Sequence, residues 1–172
     1  AIDAKVDTLL LGCTHYPYLA RTISDVLGTD VVLVSSADVY GRDPADGPFT
    51  EQSSPRPVNP YALSKLAAEG YVRAIGALNG IETVVLRIFN AYGPGQHLPV
   101  SHAPVVPRFL QAIISGGSVV IFGDGRHSRD FVYVSDVVDA LVGAATAAKV
   151  NRKLLNIGSG QETTLEELVG IM

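Results

Sequence analysis

Apolar runs rich in β-branched residues recur along this chain, each separated from the next by a stretch of helical periodicity, and this alternation restricts the fold more than any other feature. It argues for α/β layering around a mostly parallel sheet. Thr8–Leu11 reads as a buried strand, Pro17–Leu27 as a helix ended by Gly28, and Val31–Ser35 as the next strand, which together make one strand-helix-strand unit. Arg42–Pro60, rich in Pro, Asp, Ser and Gly, is a loop. Its last residues, Asn59 and Pro60, supply an N-cap and a first-turn proline for a helix running to about Leu78. Asn79-Gly80 closes that helix, Glu82–Phe89 is a strand of near-continuous apolar character, and Gly93-Pro94-Gly95 turns the chain.

The rhythm then shortens. A helix is expected from about Val105 to Ser115, a strand at Ser118–Phe122, a short strand at Phe131–Val134, a helix from about Asp136 capped by Ser135, and a strand at Leu154–Ile157. Two overlapping capping boxes, Thr163 with Glu166 and Thr164 with Glu167, start a last helix. The chain opens on Ala1 and closes on Met172 a few residues into that helix, so truncation at both ends is expected.

A chain of 172 residues fits one domain with a real core. With 13 Lys+Arg against 17 Asp+Glu and no basic run, it lacks the electrostatic footprint of a nucleic-acid binder. Its longest apolar stretches, such as Val31–Val34 and Ala140–Ala148, fall well short of the ~20 residues a membrane helix needs. No targeting segment is visible and the single cysteine, Cys13, rules out an intramolecular disulfide, which fits a cytoplasmic protein.

Tyr61 and Lys65, four residues apart, share one face of a helix. A phenol titrates near 10, and a nearby ammonium favours the phenolate, bringing it toward the range where a general acid or base works. Ser36, at the C-terminal end of a parallel strand, stands where open α/β sheets place ligands, and its hydroxyl can share a proton with Tyr61. Tyr and Lys at this spacing also occur on helices for structural reasons alone.

The surrounding words add weight. Ser35-Ser36-Ala37-Asp38-Val39-Tyr40-Gly41, Asn59-Pro60-Tyr61-Ala62-Leu63-Ser64-Lys65 and Arg87-Ile88-Phe89-Asn90-Ala91-Tyr92-Gly93-Pro94-Gly95-Gln96 resemble, in order and spacing, the extended short-chain dehydrogenase/reductases. So do Ile121-Phe122-Gly123-Asp124-Gly125, Arg129-Asp130-Phe131-Val132-Tyr133-Val134 and Asn156-Ile157-Gly158-Ser159-Gly160. The resemblance covers about residues 32–172 and is strongest to NAD-dependent sugar-nucleotide epimerases and dehydratases, 4-epimerases above all. It implies a partial, doubly wound, Rossmann-like sheet with parts of a smaller substrate-binding lobe. By the same resemblance Ser36 and Tyr61 would exchange the sugar hydroxyl proton, Lys65 would hold the nicotinamide ribose and Phe89 would line the nicotinamide. Asn90 would bind the nucleotide diphosphate, Val105, Val120 and Phe122 would line the base, and Arg129 would take the pyrophosphate, a task suited to a guanidinium. Read without the resemblance, Arg129 could form a loop salt bridge with Asp124 or Asp130, and Val120 and Phe122 could be core.

The family's Gly-rich dinucleotide turn and the acidic residue after its second strand are absent from the sequence. Gly158-Ser159-Gly160 follows a strand and precedes a helix, but it lacks a third glycine.

The N-terminal segment points elsewhere. A thiol between a buried strand and a helix N-terminus suits a reactive cysteine, although a lone Cys there is also an ordinary small buried hydrophobe. Asp7-Thr8-Leu9-Leu10-Leu11-Gly12-Cys13-Thr14-His15-Tyr16-Pro17-Tyr18-Leu19 resembles the second catalytic block of glutamate racemases, a resemblance running over about residues 1–38. It implies Cys13 as one of two thiols acting on the amino-acid α-carbon, Thr14 as a substrate contact and His15 as its helper. With one cysteine the chain holds half of that machinery. The two resemblances overlap at Val32–Asp38, as a chimera joined at a shared word would.

The expectation is therefore a fragmentary NAD-dependent nucleotide-sugar epimerase/dehydratase, inactive alone. The alternatives are a racemase fragment acting through Cys13, or a non-catalytic nucleotide-binding or chimeric piece. Uncovered sheet edges would favour a homodimer.

Overall fold

The computed structural model describes residues 8–11, 30–41, 48–96 and 104–172. Along them run β1 (Thr8–Leu11), β2 (Asp30–Ser36), a 3-10 turn at Ala37–Tyr40, α1 (Pro60–Asn79), β3 (Glu82–Ile88) and β4 (Asn90–Tyr92). There follow α2 (Val105–Ile114), β5 (Ser128–Arg129), β6 (Phe131–Tyr133), α3 (Val134–Thr146), β7 (Lys153–Ile157), β8 (Thr163–Thr164) and α4 (Leu165–Ile171). One compact unit takes in the chain to Phe89 together with Val138–Ile157; a second holds Asn90–Val137 and Gly158–Met172.

The first unit is a parallel sheet in the order β1-β2-β3-β7. One row of its register crosses all four strands, through Leu11, Leu33, Val85 and Leu154. Alternate residues of the central strands serve opposite faces. Val31, Leu33 and Val85 pack with Ala68 and Val72 of α1. Val32, Val84 and Leu86 pack with Leu141 and Ala144 of α3. A strand covered on both sides needs apolar residues at every position, which is why β2 and β3 read as continuous runs. Each fully buried Val or Leu contributes about 1.5–3 kcal/mol.

The ends of α1 follow the local sequence. The Asn59 side chain accepts from Ala62 N at 2.8 Å, Pro60 occupies the first turn, and Gly80, at φ 69°, ends the helix in the left-handed conformation. Its last turn then lies against β3 so closely that a Cβ on Gly76 would stand 2.5 Å from Thr83 Cγ2.

In the second unit β4 pairs in parallel with β6, and β5 antiparallel with β8. Its core gathers Val106, Phe109 and Leu168, with Tyr92, Ile121 and Phe131 against them. The Tyr92 ring meets Phe131 and Tyr133 edge-on.

Three sequence expectations are corrected here. Ser118–Phe122 joins no sheet among the described residues: Val119 and Ile121 turn inward and Val120 and Phe122 outward, so the alternation is real but no strand lies beside it. α3 begins at Val134 rather than Asp136, and the Ser135 hydroxyl donates to Asp136 Oδ1 at 3.3 Å instead of capping. Only one of the two capping boxes forms. Thr164 Oγ1 accepts from Glu167 N and the Glu167 carboxylate accepts from Thr164 N, while Thr163 pairs with Arg129 in the β5–β8 ladder. Among the described residues no helix is long and apolar enough to cross a membrane, and no cluster of His, Cys, Asp or Glu could hold a metal ion.

The contact at Gly76 sets a first test. Gly76→Ala gains helix propensity but drives its methyl into the β-branched Thr83, whose rotamer is stiff, and overpacking of this kind costs about 1–3 kcal/mol. A lower urea midpoint is expected, whereas an unchanged or higher one would show that the strand gives way.

Candidate active site

β2 ends in Ser35 and Ser36, at the C-terminal edge of the parallel sheet. The Ser36 hydroxyl accepts from Asp38 N at 3.2 Å and so starts the 3-10 turn. The first turns of α1 bring Tyr61 and Lys65 to the same edge. Tyr61 is half exposed, and the Ser36 hydroxyl lies close enough to its phenol to favour the phenolate. Lys65 is buried, donates to Val34 O at 3.0 Å, and carries its ammonium 5.7 Å from the centre of the Tyr61 ring. The three residues singled out for proton transfer are thus gathered in one place.

Their electrostatics differ from the expectation. The Tyr61 phenol is held above its ordinary value, first by burial and then by the Asp38 carboxylate, while the Ser36 hydroxyl pulls the other way. Lys65, expected to lower it, is hydrogen-bonded to the strand carbonyl of Val34. At neutral pH Tyr61 is therefore a proton donor.

Behind this edge lies a network that sequence reasoning missed. Glu69 and Arg87 form a two-pronged ion pair, Arg87 Nε to Oε1 at 2.9 Å and Nη2 to Oε2 at 2.7 Å, each side chain only 4% exposed. Ser35 donates to Glu69 Oε1 at 2.5 Å. The Arg87 guanidinium lies 4.6 Å from the centre of the Tyr40 ring, Tyr40 stacks on Phe49, and its hydroxyl donates to Asn156 Oδ1 at 2.7 Å. The available signal was Arg87, a charge inside an otherwise apolar strand. A cleft of about 360 Å³ opens beside the pair, lined among others by Ser53, Ser54, Arg73 and Glu69. It includes none of Ser36, Tyr61 and Lys65. Phe89 follows β3, half-buried, with its amide donating to Ile157 O.

In the second unit Asn90 is exposed and its side-chain amide donates to Asp130 O at 3.1 Å. Val105 is half-buried at the edge of the core, whereas Val120 and Phe122 are 56% and 73% exposed, so core packing does not account for them. The Arg108 guanidinium lies 5.7 Å from the centre of the Phe122 ring. Arg129 is exposed and donates to Ser128 O; among the described residues it pairs with neither Asp124 nor Asp130. Asp124 accepts from Arg126 N, and the Asp130 carboxylate accepts from Ser159 N at 2.7 Å and Gly160 N at 2.8 Å. A Cβ on Gly158 would strike that carboxylate at 2.5 Å. The Gly-Ser-Gly amides, the nearest sequence match to a dinucleotide turn, are thus filled from within. Cys13, Thr14 and His15 lie outside the described residues.

A family model described as the NAD dependent epimerase/dehydratase family matches residues 18–158. The chain belongs to that family. The match opens at residue 18, inside the segment expected to be racemase-like, and the comparisons lend that expectation no support. Over 142 residues, 83% of the chain, it is 37% identical to a putative UDP-glucose 4-epimerase of Methanocaldococcus jannaschii, of which it covers 45%. Among solved structures it resembles a UDP-N-acetylglucosamine 4-epimerase of Methanobrevibacter ruminantium in complex with UDP-N-acetylmuramic acid, at a TM-score of 0.86 and 30% identity, over 96% of this chain and 59% of the other. It also resembles the UDP-glucose 4-epimerase of Thermus thermophilus in complex with NAD, at a TM-score of 0.78 and 32% identity, over 88% of this chain and 50% of the other. The chain thus spans roughly half the length of these relatives. The parallel α/β sheet they share is the one described above.

A raised phenol favours the folded state below the pKa of the unfolded chain, near 10, and that contribution fades as pH climbs through the folded value. Stability should therefore fall above about pH 10, and less steeply in Tyr61→Phe. Identical pH profiles for the two proteins would contradict the assigned environment.

Proposed function

We propose that the chain is the acid/base and nucleotide-sugar-binding part of an NAD-dependent epimerase or dehydratase, closest in kind to the 4-epimerases. The observation that carries this reading is the convergence of Ser36, Tyr61 and Lys65 at the C-terminal edge of the sheet. Tyr61 Oη, protonated at rest, must lose that proton to act: as the phenolate it takes the proton of a sugar hydroxyl and then returns it to the carbonyl oxygen so formed, while Ser36 Oγ hydrogen-bonds the same oxygen and sets the direction of approach. Lys65 keeps a positive charge beside the phenol, which matters when Oη is deprotonated.

NAD, when bound, supplies the hydride acceptor and donor. The nicotinamide end fits this chain: a buried ammonium and a half-exposed phenol offer donors to a ribose, with Phe89 as an aromatic neighbour for the ring. The pyrophosphate end does not fit, because the Ser159 and Gly160 amides already serve Asp130. Asn90 and Arg129 are read as ligands of the substrate diphosphate, and the exposed Val120 and Phe122, with Val105, as the base-binding residues. Exposed apolar side chains suit a nucleoside better than water.

Calorimetry tests both halves of the reading. UDP should bind, and Arg129→Ala should weaken it roughly tenfold or more, the value of a charge-assisted hydrogen bond. NAD should not bind stoichiometrically at the same concentrations. Equal UDP heats for the two proteins, or tight NAD binding, would overturn the corresponding half.

A further inference from the structure

Tyr61, Lys65 and Glu69 stand at successive four-residue intervals on α1, so they form one stripe along the helix. The last three residues of β2, Val34, Ser35 and Ser36, receive that stripe one by one. Lys65 Nζ donates to Val34 O at 3.0 Å, Ser35 Oγ donates to Glu69 Oε1 at 2.5 Å, and the Ser36 hydroxyl lies close enough to the Tyr61 phenol to favour its phenolate. The Glu69 and Ser35 rung is closed to solvent, with the two residues 3% exposed, and Glu69 is itself immobilised by Arg87. The Tyr61 and Ser36 rung is the open one, half exposed on the phenol side.

We infer that Glu69 and Ser35 are positioning residues for the proton-transfer pair: their buried hydrogen bond sets the end of β2 against α1 and thereby fixes where the Ser36 hydroxyl meets Tyr61 Oη. This rests on the reading that Ser36 and Tyr61 share a proton. A serine hydroxyl rotates freely and a phenol on a helix surface has several rotamers, so their own contact does not hold them. A neighbouring charge-assisted bond in a dry setting does, since it is shorter, stronger and confined to one geometry. Arg87 acts at one remove, by preventing the carboxylate from turning away.

The Tyr61 titration midpoint, followed by the 13Cζ signal of tyrosine-labelled chain and assigned with Tyr61→Phe, reports the Ser36 contact directly. The groups around the phenol are Ser36, Asp38 and Lys65, and the variants chosen leave the charges of Asp38 and Lys65 in place. Ser36→Ala should raise the midpoint by roughly 0.4–1 pH unit, one ordinary hydrogen bond. Ser35→Ala, which leaves Ser36 intact, should raise it by a similar amount, and Ser35→Thr, which keeps the hydroxyl, should restore it. Glu69→Asp, which keeps the charge opposite Arg87 but withdraws it by one methylene, should behave like Ser35→Ala. In the Ser36→Ala background neither change should move the midpoint further, because the contact they position is gone.

The outcomes separate the claims. If Ser36→Ala moves the midpoint and Ser35→Ala does not, the positioning role fails while the proton-sharing pair survives. If Ser36→Ala itself moves nothing, the pair fails. A midpoint in Ser35→Ala that falls toward free tyrosine signals an opened chain and a merely structural role, and it also overturns the inference. UDP binding through Arg129 is independent of all three results.

Discussion

The buried pair of Glu69 and Arg87 is the constraint on which the rest of the first unit depends. Two opposite charges taken out of water are costly unless each is held in good geometry with its remaining hydrogen bonds met. Here the fork of Arg87 grips both oxygens of Glu69, Ser35 supplies a further donor and the guanidinium face rests on Tyr40, so that among these groups Arg87 Nη1 alone is left buried without a hydrogen-bond partner. Tyr40 in turn is tied to Asn156 and stacked on Phe49. One ion pair therefore links α1, β2, β3, β7 and the loop before α1. Apolar packing could bring the same elements together, but it would tolerate a slide of one residue or a small rotation of the helix. A two-pronged bond does not, and a site that transfers a proton between two hydroxyls needs that intolerance.

The second unit solves a different problem, the presentation of exposed groups. Arg129 stands on a two-residue strand braced by β8, and the following Asp130 pins the Ser159-Gly160 loop through backbone amides. The same carboxylate explains why Gly158-Ser159-Gly160 resembles a phosphate-binding turn and yet has no vacancy for a phosphate. Its donors already converge on an anion, and that anion is part of the chain.

Much of this was legible in the sequence where local physics decides. Asn59-Pro60 and Gly80 bounded α1 correctly because capping is chemistry of a few adjacent residues, and the near-continuous apolar run of β3 announced burial on both faces. Tyr61 and Lys65 could be placed on one helix face by spacing alone. What could not be read is long-range. That Ser118–Phe122 has no neighbouring strand, that Lys65 donates to Val34 O, and that Glu69 finds Arg87 all depend on residues distant in the chain. Periodicity shows which face a residue takes and not what waits there. The pKa of Tyr61 followed suit: the sequence shows a cation four residues away, and the structure adds burial and Asp38, which raise it.

A double-mutant cycle in urea on Glu69→Met and Arg87→Met measures the central constraint directly. Each single substitution leaves one buried charge unpaired and should cost about 3–5 kcal/mol, whereas the double variant, with neither charge, should be more stable than either single. Additive losses, with the double variant the least stable of the set, would contradict the account, because the two residues would then be acting independently.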